Sequence, residues 1–97
     1  MIAVIVTFTS PEGFAPEHLR GIAANSRGKF EGLPGLRSKV FSLDPDGRRA
    51  RNFYLWDDEA KAHYFFGDEL KGLVTELYGV EPTIEFVDVL GYVDNAH

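Results

Sequence analysis

The run from Ile2 to Phe8 constrains the fold more than any other stretch, because it is almost wholly apolar and rich in β-branched residues. Such a segment suits a strand that is buried on both faces and lies in the middle of its sheet. It is too short to cross a membrane, and it lacks the basic segment and the small-residue cleavage site of a signal peptide. We therefore assign the run to the fold and expect no membrane partner.

The rest of the chain alternates between helical and strand patterns, separated by clear turn signals. Apolar residues recur at helical spacing after Pro16, and Asp44-Pro45-Asp46-Gly47 is a tight-turn sequence between two strand patterns. A second helical stripe is interrupted by glycine, which divides it into two pieces. The predicted elements are strands at 2–8, 36–43, 51–56 and 83–93, a helix at 16–31, and helical pieces at 58–66 and 69–78.

Helix caps are predicted from side chains that can accept backbone hydrogen bonds. Asp57 or Asp58 is the expected N-cap of the first helical piece, and Asp68 that of the second. Gly79 is the expected end of the second piece, because glycine readily adopts the left-handed conformation that terminates helices.

This order is β-α-β-β-α-β, the ferredoxin-like arrangement of the α+β class, in one domain over residues 1–97. It places the first and third strands at the centre of a four-stranded antiparallel sheet. The helices cover only one face of such a sheet, so the apolar side chains on the other face need a second cover. We therefore predict a homodimer in which two sheets pack face to face.

Charge and composition exclude several classes of function. The formal net charge is −5, and acidic chains bind nucleic-acid phosphates poorly. The absence of cysteine excludes disulfides and thiolate metal sites and makes the cytoplasm the expected location. His63 has Glu59 one helical turn away, but two ligands do not close a metal site. We expect neither nucleic acid nor a metal ion.

Asn52, Tyr54 and Trp56 alternate on the third predicted strand and therefore point to the same side of the sheet. A buried asparagine in an aromatic strand needs a hydrogen-bond partner, since an unpaired amide costs about 1–3 kcal/mol. A bound ligand is one such partner. The alternative is that Asn52 bonds a neighbouring strand or water while the two aromatic residues fill the core.

Three stretches resemble a known family: LPGLRSKVF, NFYLWDDEAKAHYFF and YGVEPTIEFVDV. They are similar to the YdhR-like monooxygenases of the dimeric α/β barrel superfamily, which are related to antibiotic-biosynthesis monooxygenases. The resemblance implies a ferredoxin-like homodimer with a pocket between helices and sheet in each subunit. It also implies oxidation of a hydrophobic aromatic phenol or quinol by O₂ with no metal, flavin or other cofactor.

The same resemblance implies roles for individual residues. Enzymes of the superfamily use an Asn and a Trp four positions apart on the third strand, as Asn52 and Trp56 are here. Asn52 would hydrogen-bond the developing oxyanion, Trp56 would line or polarise the pocket, and His63 or Tyr64 would take the proton. The side chains expected to bind the substrate are Tyr54, Tyr64, Phe65 and Phe66.

Two other functions stay open from the sequence. A haem-degrading relative would use an Asn, a Trp and a helical His, and Trp56 with His63 matches part of that set. Thr7 stands where that group carries its Asn, which argues against haem. The non-enzymatic alternative is a small-molecule binding or stress-related module that uses the same pocket without turnover.

Overall fold

The computed structural model describes residues 1–95, which form four strands and three helices. The last two residues of the predicted domain lie outside the described part. The elements in chain order are β1 (Ile2–Thr9), α1 (Pro16–Phe30), β2 (Leu36–Leu43), β3 (Arg49–Trp56), α2 (Glu59–Phe65), α3 (Asp68–Tyr78) and β4 (Thr83–Asp88). The predicted element order is confirmed, with α2 and α3 as the two helical pieces.

Two of the predicted caps are confirmed and one is wrong. Asp58 caps α2 by accepting a hydrogen bond from the backbone N–H of Lys61, and Gly79 ends α3 with φ of 79°. The N-cap of α3 is Gly67 rather than Asp68, and it makes no side-chain cap bond. Asp68 instead lies in the first turn, where a carboxylate favours the positive end of the helix dipole.

The predicted fourth strand is too long. β4 ends at Asp88 instead of residue 93, because Asp88 pairs with Ile2 at the very start of β1. Beyond this pair, β1 offers no further strand residue for β4 to bond.

The sheet is antiparallel with strand order β2-β3-β1-β4, so β1 and β3 lie at its centre as predicted. Val6 of β1 pairs with Asn52, and Val4 pairs with Tyr54. The molecule has an α+β, ferredoxin-like fold, with all three helices following the chain order expected for it.

One face of the sheet carries the hydrophobic core. Alternate residues of the two central strands are buried there, and Ile22, Ala62, Phe66 and Tyr78 of the helical region complete the cluster. The strand members of this core are Ile2, Val4, Val6, Phe8, Ala50, Tyr54 and Trp56, with Asn52 as the buried polar residue.

The other face of the sheet stays uncovered in the single chain. Val40, Phe53 and Val87 are exposed there by 54%, 40% and 41% of their surfaces. Ile5 of β1 is only half-buried, so this chain alone buries one face of β1 completely rather than both. We call this surface, formed by Ile5, Val40, Phe53 and Val87, the open sheet face.

None of the helices in the described part of the chain has the length and apolar character needed to cross a membrane.

Candidate functional site

A cavity of about 150 Å³ lies between the helix-covered face of the sheet and helices α1 and α3. We call it the inner cavity. Its walls are mostly apolar, with side chains such as Phe8, Ile22, Phe66 and Leu70. Polar groups reach it from every side of the site, namely Asn25, Ser26, Lys29, Lys39, Asn52, Tyr54 and Tyr78. A small-molecule site has this combination of apolar walls and a few convergent polar groups.

A second space of about 250 Å³, the side cavity, adjoins the inner cavity between α1 and the β2–β3 pair. The two cavities share Phe41, Asn52 and Tyr78 in their walls. The inner cavity alone matches a benzene-sized ligand, since a cavity of roughly 150 Å³ accommodates benzene. Together the two spaces fall within the range of about 300–1,000 Å³ that is typical of small-molecule pockets.

Asn52 lies on the wall between these cavities and is only 4% exposed. Its Nδ2 donates a hydrogen bond of 3.2 Å to the hydroxyl of Tyr78, whose ring stacks on Phe8 at 3.8 Å between centroids. The partner of the buried amide is thus a helix residue, and not the neighbouring strand considered from the sequence.

The two tyrosines of the cavity are held in the neutral form. Burial raises the pKa of Tyr54, and the nearby Tyr78 raises it further. Burial also raises the pKa of Tyr78, although the hydrogen bond from Asn52 acts in the opposite direction. Both hydroxyls therefore serve as hydrogen-bonding groups at neutral pH, and neither is a base there.

Lys39 is the functional candidate that the sequence reasoning missed. It lies on β2 directly opposite Tyr54, and its Nζ is 3.5 Å, 4.0 Å and 4.5 Å from the ring centroids of Phe30, Phe41 and Tyr54. The signal in the sequence was its position: Lys39 alternates with Phe41 and Leu43 and so shares their inward face.

The surroundings of Lys39 favour the uncharged amine. Burial, followed by repulsion from Lys29, lowers the pKa of Lys39 from 10.5 to about 7. The three ring contacts act in the opposite direction, because each cation–π contact favours the ammonium, by about 0.5–2 kcal/mol. Lys39 is thus poised to gain or lose a proton near neutral pH.

Of the site residues predicted from the sequence, the structure brings Asn52, Tyr54 and Phe66 together around the inner cavity. Trp56 is 1% exposed and is not among the lining residues. Its ring packs beside Tyr54 and Phe65, with centroid distances of 6.5 Å and 5.4 Å, and its buried Nε1 has no hydrogen-bond partner among residues 1–95. Trp56 and Phe65 therefore form a second layer that supports Tyr54.

His63 and Tyr64 lie outside the inner cavity. The His63 ring stacks on Phe86 at 4.2 Å, and its Nε2 is 3.7 Å from a carboxylate oxygen of Glu59. Tyr64 is 90% exposed. Within residues 1–95, no three histidine, aspartate or glutamate side chains come together in a metal-binding group.

Solved structures with the same architecture include several monooxygenases. The monooxygenase ActVA-Orf6 of Streptomyces coelicolor, solved in complex with the ligand nanaomycin D, superposes with a TM-score of 0.70 at 20% identity. The match covers 98% of this chain and 92% of that protein. The chain has the fold of the antibiotic-biosynthesis monooxygenases.

Two further similarities support this assignment of the fold. SnoaB, a cofactor-independent oxygenase from Streptomyces nogalater, has a TM-score of 0.68 at 16% identity, over 95% of both chains. Rv0793 from Mycobacterium tuberculosis has a TM-score of 0.70 at 18% identity, over 96% of this chain and 98% of the other. No protein-family model matches the chain, and no curated protein matches it significantly. The narrower YdhR-like membership stays a prediction.

Proposed function

We propose that this protein is a cofactor-independent monooxygenase that oxidises a planar, hydrophobic phenol, quinol or anthrone with O₂. The observation that carries the proposal is the position of the Asn52 amide, which lies between two adjoining cavities and has an N–H group that already donates to an oxygen in the site. The architecture shared with ActVA-Orf6 and SnoaB supports the same reaction class.

The reaction needs no bound electron carrier, because the substrate is its own reductant. In an anthrone, a ring CH₂ group becomes a C=O group, while O₂ supplies the carbonyl oxygen and the oxygen of one water molecule. The four electrons that reduce O₂ come from the substrate carbon. The protein must help the substrate to lose its first proton, because the resulting anion is electron-rich enough to react with O₂.

Asn52 is suited to stabilise that anion. Its Nδ2 already donates to a neutral oxygen, the Tyr78 hydroxyl, so the same N–H group is directed at an oxygen acceptor within the site. An anionic substrate oxygen is a stronger acceptor than a tyrosine hydroxyl. Tyr54 forms an aromatic wall against which a planar substrate packs, and Trp56 and Phe65 hold that wall in place from behind.

The test is oxygen uptake by chelator-treated, flavin-free protein with anthrone as substrate. Asn52→Ala should lower kcat by about 10²–10³-fold if the amide stabilises the oxyanion. A rise in KM alone would show uniform binding of substrate and transition state instead. Wild-type protein that binds anthrone without consuming oxygen would overturn the enzymatic proposal in favour of the non-catalytic binding module.

The haem-degrading alternative receives no support from the site. Its helical ligand would be His63, which stacks on Phe86 and does not line the inner cavity. Thr7 pairs with Arg51 on the open side of the sheet, between the buried Val6 and Phe8. The Thr7 side chain therefore points away from the helices.

We also propose that the active form is a cytoplasmic homodimer joined through the open sheet face. The exposed apolar side chains of Val40, Phe53 and Val87 lie on the side of the sheet that has no helix. A second copy of the chain offers a surface of the same shape and character. In such a dimer both cavities stay on the outer, helix-covered sides.

A further inference from the structure

We propose that Lys39 is the catalytic base of the inner cavity, where its side-chain amine takes the proton from the hydroxyl group of a phenolic or enolic substrate. This assignment rests on the proposed monooxygenase function and names the group that starts the reaction. The sequence pointed to His63 or Tyr64 for this step, but neither residue lines the cavity.

The geometry places the Lys39 amine in the wall of the inner cavity, where it would contact a bound substrate. Lys39 and Tyr54 face each other across the β2–β3 pair, on the side that carries the helices. The Lys39 Nζ therefore lies over the ring that forms the aromatic wall, 4.5 Å from its centroid. A phenol bound in the inner cavity beside Tyr54 brings its hydroxyl within reach of the amine.

No carboxylate neutralises Lys39. Among the described residues, none has a carboxylate oxygen within 4.0 Å of its Nζ. Glu31, the residue that follows α1, is paired with Arg27 at 2.5 Å, and Arg37 of β2 is paired with Asp57 at 2.9 Å. The titratable groups that line the inner cavity with Lys39 are Lys29, Tyr54 and Tyr78. A cavity of about 500 Å³ between α1 and β2 also borders Lys39, and its charged residues are Arg27, Glu31 and Arg37.

This environment makes the amine an effective base at neutral pH. Burial and the neighbouring Lys29 lower the pKa of Lys39 to about 7, so the amine takes up and releases a proton near neutral pH. A general base works best when its pKa lies near the working pH. The same two causes, desolvation and a neighbouring cation, are a recognised way to activate a lysine.

The proton balance closes without another reactant. The substrate O–H bond breaks, its electron pair stays on the oxygen, and a new N–H bond forms on Lys39. The resulting ammonium pairs with the substrate anion inside the cage of Phe30, Phe41 and Tyr54. After O₂ has added to the substrate carbon, the ammonium returns this proton to the terminal peroxide oxygen. The C–H bond of that carbon and the O–O bond then break, the carbonyl forms, and the released oxygen leaves as water with the returned proton and the proton from the carbon.

The first test uses 2,6-dihydroxyanthraquinone, which is already at the quinone level and reports ionisation by a shift of its visible absorption to longer wavelength. Bound to wild-type protein at pH 7, the dye should show the phenolate spectrum. Bound to Lys39→Met, it should show the phenol spectrum. A phenolate spectrum in Lys39→Met would overturn the proposal.

The second test is the pH profile of oxygen uptake with anthrone. Wild-type kcat/KM should rise with pH to a plateau, with a midpoint near 7. In Lys39→Met, kcat/KM should fall at least about 100-fold, since a general base contributes about 10²–10⁴-fold. The rise of kcat/KM with pH near 7 should also disappear. Lys39→Arg keeps the positive charge but not the base, and should also lose the rate. Lys71→Met, on the exposed surface of α3, is the matched control that should keep the wild-type profile.

These readouts separate the two proposals. Dye ionisation that depends on Lys39, without oxygen uptake by any substrate, would leave the base in place and refute the oxidation. Oxygen uptake that survives Lys39→Met would refute the base and leave the oxidation in place. If Lys39→Met does not fold, the titration of the Lys39 ammonium by NMR in the wild-type protein decides. A midpoint near 7 supports the proposal, and one near 10.5 overturns it.

Discussion

Asn52 and Lys39 are polar side chains that a core of this size accommodates at a cost. The hydrogen bond to Tyr78 offsets the desolvation of the Asn52 amide. The Lys39 amine lies against aromatic rings. An apolar residue at either position would fill the same space without desolvating a polar group. Residues that destabilise the fold in this way and line a cavity are candidates for function.

Lys39→Met should stabilise the folded protein, and the gain should shrink as the pH rises. The pKa of Lys39 is lower in the folded protein, about 7, than in the unfolded chain, where it is near 10.5. Between these values the unfolded chain binds more protons, so the wild-type free energy of unfolding rises with pH, by at most about 1.4 kcal/mol per unit. Urea unfolding of both proteins from pH 6 to pH 9 measures this. If the free energies of unfolding of the wild type and Lys39→Met differ by the same amount from pH 6 to pH 9, the pKa of Lys39 is not lowered in the folded protein.

Tyr78→Phe should destabilise the fold by about 1–3 kcal/mol, because it leaves the buried Asn52 amide without its partner. The phenyl ring still stacks on Phe8, so the change isolates the hydroxyl. Tyr64→Phe is the matched control. The Tyr64 side chain is 90% exposed, so removing its hydroxyl should change the free energy of unfolding by no more than about 0.5 kcal/mol. Equal effects of the two variants in urea unfolding would show that the Asn52 bond adds nothing.

At the level of elements, periodicity was sufficient to predict the strand and helix order, and the exceptions have physical causes. The apolar residues continue after Asp88 in the sequence, but Asp88 already pairs with Ile2, the first residue of β1, and the next bond, from the Val89 N–H to the Met1 carbonyl, is long at 3.4 Å. That limit is set by another part of the chain, so a local pattern does not contain it. The N-cap at Gly67 was missed for a related reason, because side-chain preferences favour Asp68 while the backbone places it one residue inside the helix.

Only the part of the candidate site that lies on a single strand, β3, was predictable from the sequence. Alternation along β3 correctly placed Asn52 and Tyr54 on the helix-covered face. The cavity itself is formed by α1, α3 and β2, whose approach to β3 is a matter of tertiary packing. Lys39 joins the site through its register with Tyr54, and no single segment shows that pairing.

Asp58→Ala should cost about 0.5–2 kcal/mol of stability, since it removes the side-chain cap of α2. Asp58→Asn is the matched control, because asparagine is an equally good N-cap and should retain most of the stability. Thermal or urea unfolding distinguishes the two. If both variants lose the same amount, the charge of Asp58 matters, and the cap does not.

At the scale of the whole molecule, one sheet has two different surfaces. The strand order puts β1 and β3 in the centre, and the helices of both halves pack on the same side. That side contains the core, the cavities and every proposed catalytic group. The other side carries apolar residues that no helix of the described residues covers, so the proposed reaction and the proposed dimer contact use opposite faces of the same two strands.

Phe53→Glu should convert a homodimer into a monomer. Phe53 lies at the centre of the open sheet face, on β3, and is 40% exposed in the single chain. A stable interface buries at least about 1,200 Å² in total, and a pair of carboxylates at its centre would have to be desolvated there without partners. Sedimentation at micromolar concentration should give twice the monomer mass for the wild type and the monomer mass for the variant.

Tyr64→Glu is the matched control for this change. It introduces the same charge at an aromatic residue of α2 that is 90% exposed, and should remain dimeric. A wild-type protein that sediments as a monomer at micromolar concentration would refute the homodimer, because the apolar residues of the open sheet face would then stay uncovered without a second copy.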